Sequence, residues 1–451
     1  MGSGVVRAKQ VAKLNVLMNG RLVALLSKLP SGAMTFQYAD EWLTTLGARP
    51  VSLSLPLRHT AYEGEKVYNF FDNLLPDYEQ IRARIQARFQ VPSRQPFDLL
   101  SAIGADCVGA IQLYQQNTLK NLKNIEDITA QPLTSAEIAK LLKGYAVSPL
   151  GMTEEVDDFR ISIAGAQEKT ALLWHQEQWC RPIGTTPTSH IFKLPIGLIA
   201  NNNIDLRDSC ENEWLCLEIA KAFRLPTANA QIQQFEDVKV LIVERFDRRW
   251  SSNGQWLMRL PQEDMCQALG VPPGLKYESE GGPGMAQIMH LLLGASNADA
   301  DREQFFRSQV LFWLLAATDG HAKNFSIYLE PNGNYRLTPL YDVMSIYPLM
   351  DTHAISRQKA KLAMAWQGKK PRYLWTMVQA RHCLSMAKAI GFSQKRAEQI
   401  LREMLAQVSS VAGQIASSLP ARFPTHISEP ILKGMVSLAQ QQLSQIEQGL
   451  I

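Results

Sequence analysis

The chain has 451 residues, a formal net charge of +4, 46% hydrophobic and 20% charged residues, a composition ordinary for soluble globular proteins and a length sufficient for two or three domains. Its longest unbroken apolar run, Val310 to Ala317, is too short to span a bilayer, and no basic flank with an apolar core opens the chain, so neither a membrane span nor a secretory signal is expected. Six dispersed cysteines (Cys107, Cys180, Cys210, Cys216, Cys266, Cys383) form no C-x-x-C pair and the eight histidines form no H-E-x-x-H, which argues against a disulfide framework or a zinc site and for buried thiols in the cytoplasm.

Along the chain, Lys13 to Leu25 reads as two strands joined at Asn19-Gly20. Asp77 to Phe89 has helical spacing, and Thr134 to Lys143 reads as an amphipathic helix opened by the capping box Thr134-Ser-Ala-Glu137. From 151 to 260 short β-rich runs dominate: 159–163, 169–174, 190–194 and 240–246, interrupted by one helix from Cys210 to Arg224. After Pro261 the chain is mostly helical, with a Gly/Pro-rich break from Val271 to Gly284. Three units are expected: 1–150 α/β, 151–260 β-rich, and 261–451 mostly helical with the catalytic residues. A β-rich lobe beside a helical lobe places a cleft at their junction, a common location for nucleotide sites.

The most informative segment is Thr318-Asp-Gly-His-Ala-Lys-Asn324, where a buried apolar helix stops abruptly at polar groups. Asp319 and Asn324 have the offset of the kinase loop H-R-D-x-x-x-x-N, in which the Asp accepts the hydroxyl proton and the Asn holds magnesium. A hairpin follows, closing at Asn332-Gly333, and its return is expected to set Asp342 beside Asn324 and Asp319. Oxygen ligands then converge where a hard cation and phosphate oxygens can meet. The triplet Asp342-Val343-Met344 lacks the glycine of the kinase D-F-G motif. Lys193, among apolar neighbours on a strand, needs an anionic partner; Glu211 and Glu213 are candidates, Glu213 preferred, and a solvent-facing edge-strand lysine is the alternative. Ser162 to Lys169 joins two strands, and Gly165 with its alanines permits close backbone approach to phosphates, although a plain hairpin has the same composition. Val240 to Phe246 leaves a strand into Asp247-Arg-Arg-Trp250, either an adenine-binding connection or an ordinary strand end.

Ser162-x-Ala-Gly-Ala-Gln-x-Lys169, Val243-Glu-Arg-Phe-Asp-Arg-Arg-Trp250, Leu260 to Cys266 and Thr318 to Phe325 closely resemble HipA, the family of bacterial persistence toxins of type II toxin–antitoxin modules. The likeness extends through Phe70 to Asp77, Arg94 to Leu100 and Gly281 to Gly284. The resemblance implies an α+β, two-lobed, protein-kinase-like fold with an α/β N-terminal lobe and an all-α C-terminal lobe. It also implies Mg-ATP-dependent serine/threonine phosphorylation of a translation-related protein such as glutamyl-tRNA synthetase. Carried over, Asp319 is the catalytic base and Asn324 and Asp342 bind Mg2+. Ala164, Gly165, Ala166, Gln167, Glu168, Lys169 and Lys193 meet the phosphates, with His321, Lys323 and Tyr341 in the nucleotide pocket and Glu244, Arg245 and Phe246 as adenine hinge. Ser162 matches an autophosphorylated serine whose modification silences the enzyme.

The implied partners are a HipB-type helix-turn-helix antitoxin and, through it, operator DNA. From residue 361 onward the chain carries +7, leaving −3 for the first 360 residues, so the basic C-terminal third fits a DNA-facing patch; solvated helix faces are the alternative. Lys388 aligns with a DNA-contacting turn. Two rival readings are a DNA-bound co-repressor with a vestigial nucleotide site and, from the Asp-Gly-His spacing, a lipid or small-molecule kinase.

Overall fold

The computed structural model describes residues 11–116, 126–147, 169–199 and 204–448. Strands Ala12–Met18 and Arg21–Lys28 pair around Asn19-Gly20, which sit at φ 47° and 74° as a type I′ turn requires. With Met34–Tyr38, Tyr62–Glu63 and Ile111–Gln115 they make a five-stranded antiparallel sheet. Helices Glu65–Asp72, Glu79–Phe89 and Pro96–Ile103 supply the rest of this domain, and Phe36, Phe70, Phe71, Leu99 and Leu100 fill its separate core.

A second sheet of six antiparallel strands runs in the order Ala230–Phe235, Val238–Glu244, His190–Lys193, Lys169–His175, Gln178–Pro182, Ala130–Pro132. Alternation along Val238–Glu244 sends Val240 and Ile242 into a core with Ile138, Leu142 and Phe192, and Leu241 and Val243 into one with Cys210 and Ala228. Both faces are buried, which explains why the strand reads as a continuous apolar run. Helix Ser135–Val147 covers the first face, and its start has the expected reciprocal bonds: the Thr134 amide donates to Glu137 Oε2 (2.7 Å) and the Glu137 amide to Thr134 Oγ1 (3.3 Å). This corrects the expected boundary at 150. Strand Ala130–Pro132 pairs with Gln178–Pro182, and Ile138, Ala139 and Leu142 of this helix pack into the core under the second sheet. The strand expected at 159–163 lies outside the described residues.

Beyond Pro261 the large core is helical: Ala298–Leu314, Ala380–Ala389, Gln394–Ser418 and Thr425–Glu447 pack with Ser209–Ala222 around Trp313, Phe305, Met404 and Met435. It also holds a three-stranded sheet of Gln262–Asp264, Ser326–Leu329 and Tyr335–Leu337, and the hairpin Lys361–Trp366 with Arg372–Leu374, so this lobe is mostly rather than wholly α. All six cysteines are free and buried, and no helix among the described residues is long and apolar enough to cross a membrane.

A buried ionic cluster joins the N-terminal domain to the rest. Asp106 accepts from Arg248 (2.8 Å) and Arg259 (3.1 Å), while Asp247 accepts from Arg245 (2.8 Å) and the Gly109 amide (2.6 Å). Burial opposes the charge on Asp106, but Arg248, Arg259 and Arg245 hold it well below the usual carboxylate range. Removing one member leaves its partner buried and uncompensated, at a cost of about 3–5 kcal/mol.

Glu263 is the opposite case. It is fully buried, its Oε1 accepts from the Leu53 amide (2.8 Å), and its Oε2 has no partner. Burial pushes it up to about 8. A carboxyl raised on folding stabilises fully below its unfolded value and loses that contribution as pH rises through its folded value. Stability therefore declines between pH 4.5 and about 8, by at most about 1.4 kcal/mol per pH unit. Glu263→Gln should flatten this decline, so that the variant gains on the wild type in urea midpoint between pH 5 and pH 8.5. Parallel pH profiles of the two proteins would refute the assignment.

Candidate active site

The segment Thr318 to Asn324 hangs from helix Ala298–Leu314, whose apolar end anchors it in the core. Gly320 is required by contact: a Cβ there would lie 2.2 Å from Phe312 Cδ2, within a packed aromatic pair of Phe312 and Phe325. A single 3-10 turn, Ala322–Asn324, then leads into the hairpin Ser326–Leu329 and Tyr335–Leu337, with Asn332 at φ 62° and Gly333 at φ 78°. The return strand continues to Tyr341, whose hydroxyl donates to the Lys323 carbonyl (2.8 Å), and to Asp342, whose carbonyl accepts from Asn324 Nδ2 (3.1 Å). Asp342 itself sits at φ 58°, a left-handed conformation that Asp tolerates better than most residues. The D-F-G glycine is absent here; the aspartate takes the left-handed position and Val343 packs into the core.

Lys193 is the centre of the cleft. It lies on a central strand, not an edge, and is 6% exposed. Its ammonium donates to Glu213 Oε1 (2.6 Å) and to Asp342 Oδ1 (2.9 Å). Burial opposes its charge, but Asp342 and Glu213 hold it above the usual lysine range. Asp342 is likewise held down, against burial, by Lys193 and then Lys169, while burial and the neighbouring Asp342 push Glu213 up. Glu211 pairs instead with Lys239 (2.5 Å), on the strand beside that of Lys193. Lys169 sits across the sheet from Lys193, and burial with the like charge of Lys193 pushes it down to about 8.

Asp319 is half exposed; burial of its surroundings and the Asp342 charge push it up, against a hydrogen bond from the Tyr277 hydroxyl (2.5 Å). His321, 4.0 Å from Asp319, is pushed down to about 3 by burial and by Lys276, so its imidazole is neutral. Two buried atoms in this cluster have no hydrogen-bond partner, Asn324 Oδ1 and His321 Nδ1. Among the described residues, no three His, Cys, Asp or Glu gather to hold a metal alone. Asn324 turns its Nδ2 to Asp342 Oδ2 (3.5 Å) and leaves its oxygen unpartnered; this amide and carboxylate fit Mg2+, which characteristically takes one or two protein oxygens and completes its shell with phosphates and water.

Some expected contacts fall elsewhere. The Lys323 ammonium, expected in the nucleotide pocket, is taken by Asn73 Oδ1 (2.8 Å) and Asp264 (3.3 Å), which makes it a brace between domains. The Arg245 side chain belongs to the buried ionic cluster, and its amide donates to the Ser189 carbonyl (2.9 Å), which fixes the backbone at this strand end. Glu244 is exposed at its end of the strand, and the Phe246 ring packs 5.5 Å from that of Tyr341. Lys388 is exposed near a helix end whose last carbonyls, Ile390 and Gly391, accept from Arg302. Ser162 and Ala164, Gly165, Ala166, Gln167 and Glu168 lie outside the described residues. Sequence reasoning missed Asp106, Lys276 and Tyr277, and passed over Asp77 as part of a longer matched segment.

Residues 161–412 match the HipA-like C-terminal domain and residues 14–114 the HipA N-terminal domain. Putative kinase Y4mE of Sinorhizobium fredii is 32% identical over 79% of this chain and 83% of its own length. The serine/threonine-protein kinase toxin HipA of Shewanella oneidensis is 27% identical over 68% of this chain and 69% of its own. Among solved structures, the Shewanella oneidensis complex of HipA, HipB and operator DNA contains a chain that matches with a TM-score of 0.77 at 21% identity, covering 96% of this chain and 97% of that one.

Gly320→Ala should lower the thermal midpoint, at a cost of about 1–3 kcal/mol, because Phe312 cannot retreat within the core. An unchanged midpoint would show that the loop tolerates a side chain there.

Proposed function

The chain belongs to the HipA family, and from that premise we propose that it is an ATP- and magnesium-dependent serine/threonine protein kinase acting as the toxin of a toxin–antitoxin pair. The observation that carries the reading is the Lys193 ammonium shared between Glu213 and Asp342, with the orphaned Asn324 oxygen beside it. Lys193 and Lys169 balance Glu213 and Asp342, and a partly exposed carboxylate with an unpaired amide oxygen nearby is what a phosphate-bound cation requires.

Mg-ATP, when bound, supplies the phosphoryl group and a divalent charge that spreads the negative charge of its transfer. The rest is the work of this chain. Asn324 and Asp342 hold the cation; Lys193 and Lys169 present positive charge to phosphate oxygens; the neutral His321 offers a polar contact in a dry pocket. Asp319 orients the acceptor hydroxyl and takes its proton. Phe246 and Tyr341 form an aromatic wall for the base, and the backbone of Glu244 to Phe246 borders it. Ser162 is the proposed self-phosphorylation site and Ala164 to Lys169 the phosphate loop. A HipB-type antitoxin and operator DNA are the proposed partners, and a translation-related protein, with glutamyl-tRNA synthetase as first candidate, is the proposed substrate. Exposed Lys388 is one proposed DNA contact, although Arg396, Arg402 and Lys433 of the basic C-terminal third already pair with Glu303, Glu398 and Glu429.

Incubation with γ-labelled ATP and Mg2+, with and without cell extract, should place label on the chain and on one further protein. Asp319→Ala should reduce labelling by about 10²-fold or more while retaining the wild-type melting profile. Nucleotide bound without any turnover would favour the vestigial co-repressor, and an organic-extractable product would favour a lipid kinase.

A further inference from the structure

Three groups crowd the Asp319 side of the cleft without a part in the mechanism above. Tyr277 donates its hydroxyl to Asp319 Oδ1 at 2.5 Å and packs its ring edge-on against His321, centroids 5.0 Å apart. The adjoining Lys276 carbonyl accepts from the Ala322 amide (3.2 Å), so one dipeptide is tied to the catalytic loop at three points. The Lys276 ammonium in turn donates to Asp77 Oδ2 (2.9 Å), and Asp77 belongs to the N-terminal domain, whose following helix begins at Glu79. The other oxygen of Asp77 lies 3.7 Å from Lys323, the residue before Asn324.

The glycine-rich segment after Tyr277 is shaped to hold it there. The Gly282 amide donates to the Tyr277 carbonyl (3.0 Å), and a Cβ on Gly282 would lie 1.9 Å from the Leu275 carbonyl oxygen. A Cβ on Gly284 would lie 2.2 Å from the Glu278 carboxyl carbon, and that carboxylate accepts from the Ala365 amide (2.6 Å). Only glycines let the chain fold back this tightly.

We propose that Tyr277 is a positioning residue for Asp319, and that Asp77, through Lys276, makes the N-terminal domain part of the apparatus that aims the catalytic base. A half-exposed carboxylate rotates among rotamers. A phenol donating to Oδ1 fixes one of them and leaves Oδ2 to accept from a substrate hydroxyl. Misalignment of a general base is costly even when its chemistry is intact. The inference rests on the kinase reading above and assigns a purpose to the Phe70–Asp77 and Gly281–Gly284 segments.

The test is self-labelling of the full chain with γ-labelled ATP and Mg2+, measured as maximal rate and half-saturating ATP for wild type, Tyr277→Phe, Asp77→Asn and Asp319→Ala. Tyr277→Phe should cut the maximal rate about tenfold or more without changing half-saturating ATP, the signature of an interaction made at the transferring end alone. Asp77→Asn should shift the rate in the same direction by less. A wild-type rate in Tyr277→Phe, with Asp319→Ala silent, overturns this inference and leaves the kinase reading intact. A faster Tyr277→Phe, or phosphate found on Tyr277 itself by mass spectrometry, also overturns it, because the phenol would then be a competitor or an acceptor. Label retained by Asp319→Ala, or absent from the wild type, instead removes the kinase reading on which the inference stands.

Discussion

One ammonium organises the cleft. Lys193 comes from the middle of a six-stranded sheet, Glu213 from a helix packed behind it, and Asp342 from the end of a β-ribbon in the helical lobe. No two of these elements are adjacent in the chain, and Lys193 and Glu213 are buried while the Asp342 side chain stays partly exposed. Each member alone would be costly to desolvate; together Lys193 and Asp342 hold one another ionised, Glu213 is pushed up by burial and by Asp342, and the three tie the sheet to the helical lobe. With Lys169 also acting on Asp342, two lysines and two carboxylates share this space, and the unpartnered Asn324 oxygen is a group left to meet a cation.

The N-terminal domain is bound to this arrangement by two polar contacts of different character. Around Asp106 and Asp247, three arginines are sealed from water and fix the strand end that carries Arg245 and Phe246. Around Lys323, Asn73 and Asp77 reach under the 318–325 segment from the opposite domain. Both the strand end at Arg245 and the segment that carries Asp319 therefore lean on residues from the first 110 positions. The separate apolar core of that domain gives these groups a rigid base.

Much of this was legible in the sequence, for identifiable reasons. Short-range signals read well: Asn-Gly turns, the capping box at Thr134, and the abrupt end of an apolar helix at Thr318-Asp-Gly-His. The hairpin argument brought Asp342 to Asn324 because turn geometry fixes where a return strand goes. Lys193 was legible as a lysine in need of a partner, and of the two candidates on the following helix the preferred one, Glu213, takes it. Lys323 and Arg245 were expected at the nucleotide because of the motifs they stand in, whereas their side chains pair with Asn73 and Asp264 and with Asp106 and Asp247, of which all but Asp247 are distant in the chain. Asp106 and Tyr277 carry no local pattern at all. Only the packing of separate domains makes them polar partners, and periodicity has no access to that. The boundary near 150 failed similarly: the helix from Ser135 was found correctly, but the surface it covers is made of residues 172–242.

The proposed kinase reading requires that cation, nucleotide and base meet in one place. A crystal grown with Mn2+ and a non-hydrolysable ATP analogue tests it most directly. Anomalous density between Asn324 Oδ1 and the Asp342 carboxylate, with the terminal phosphate turned toward Asp319, is the predicted result. Metal and nucleotide bound away from all three side chains would contradict it.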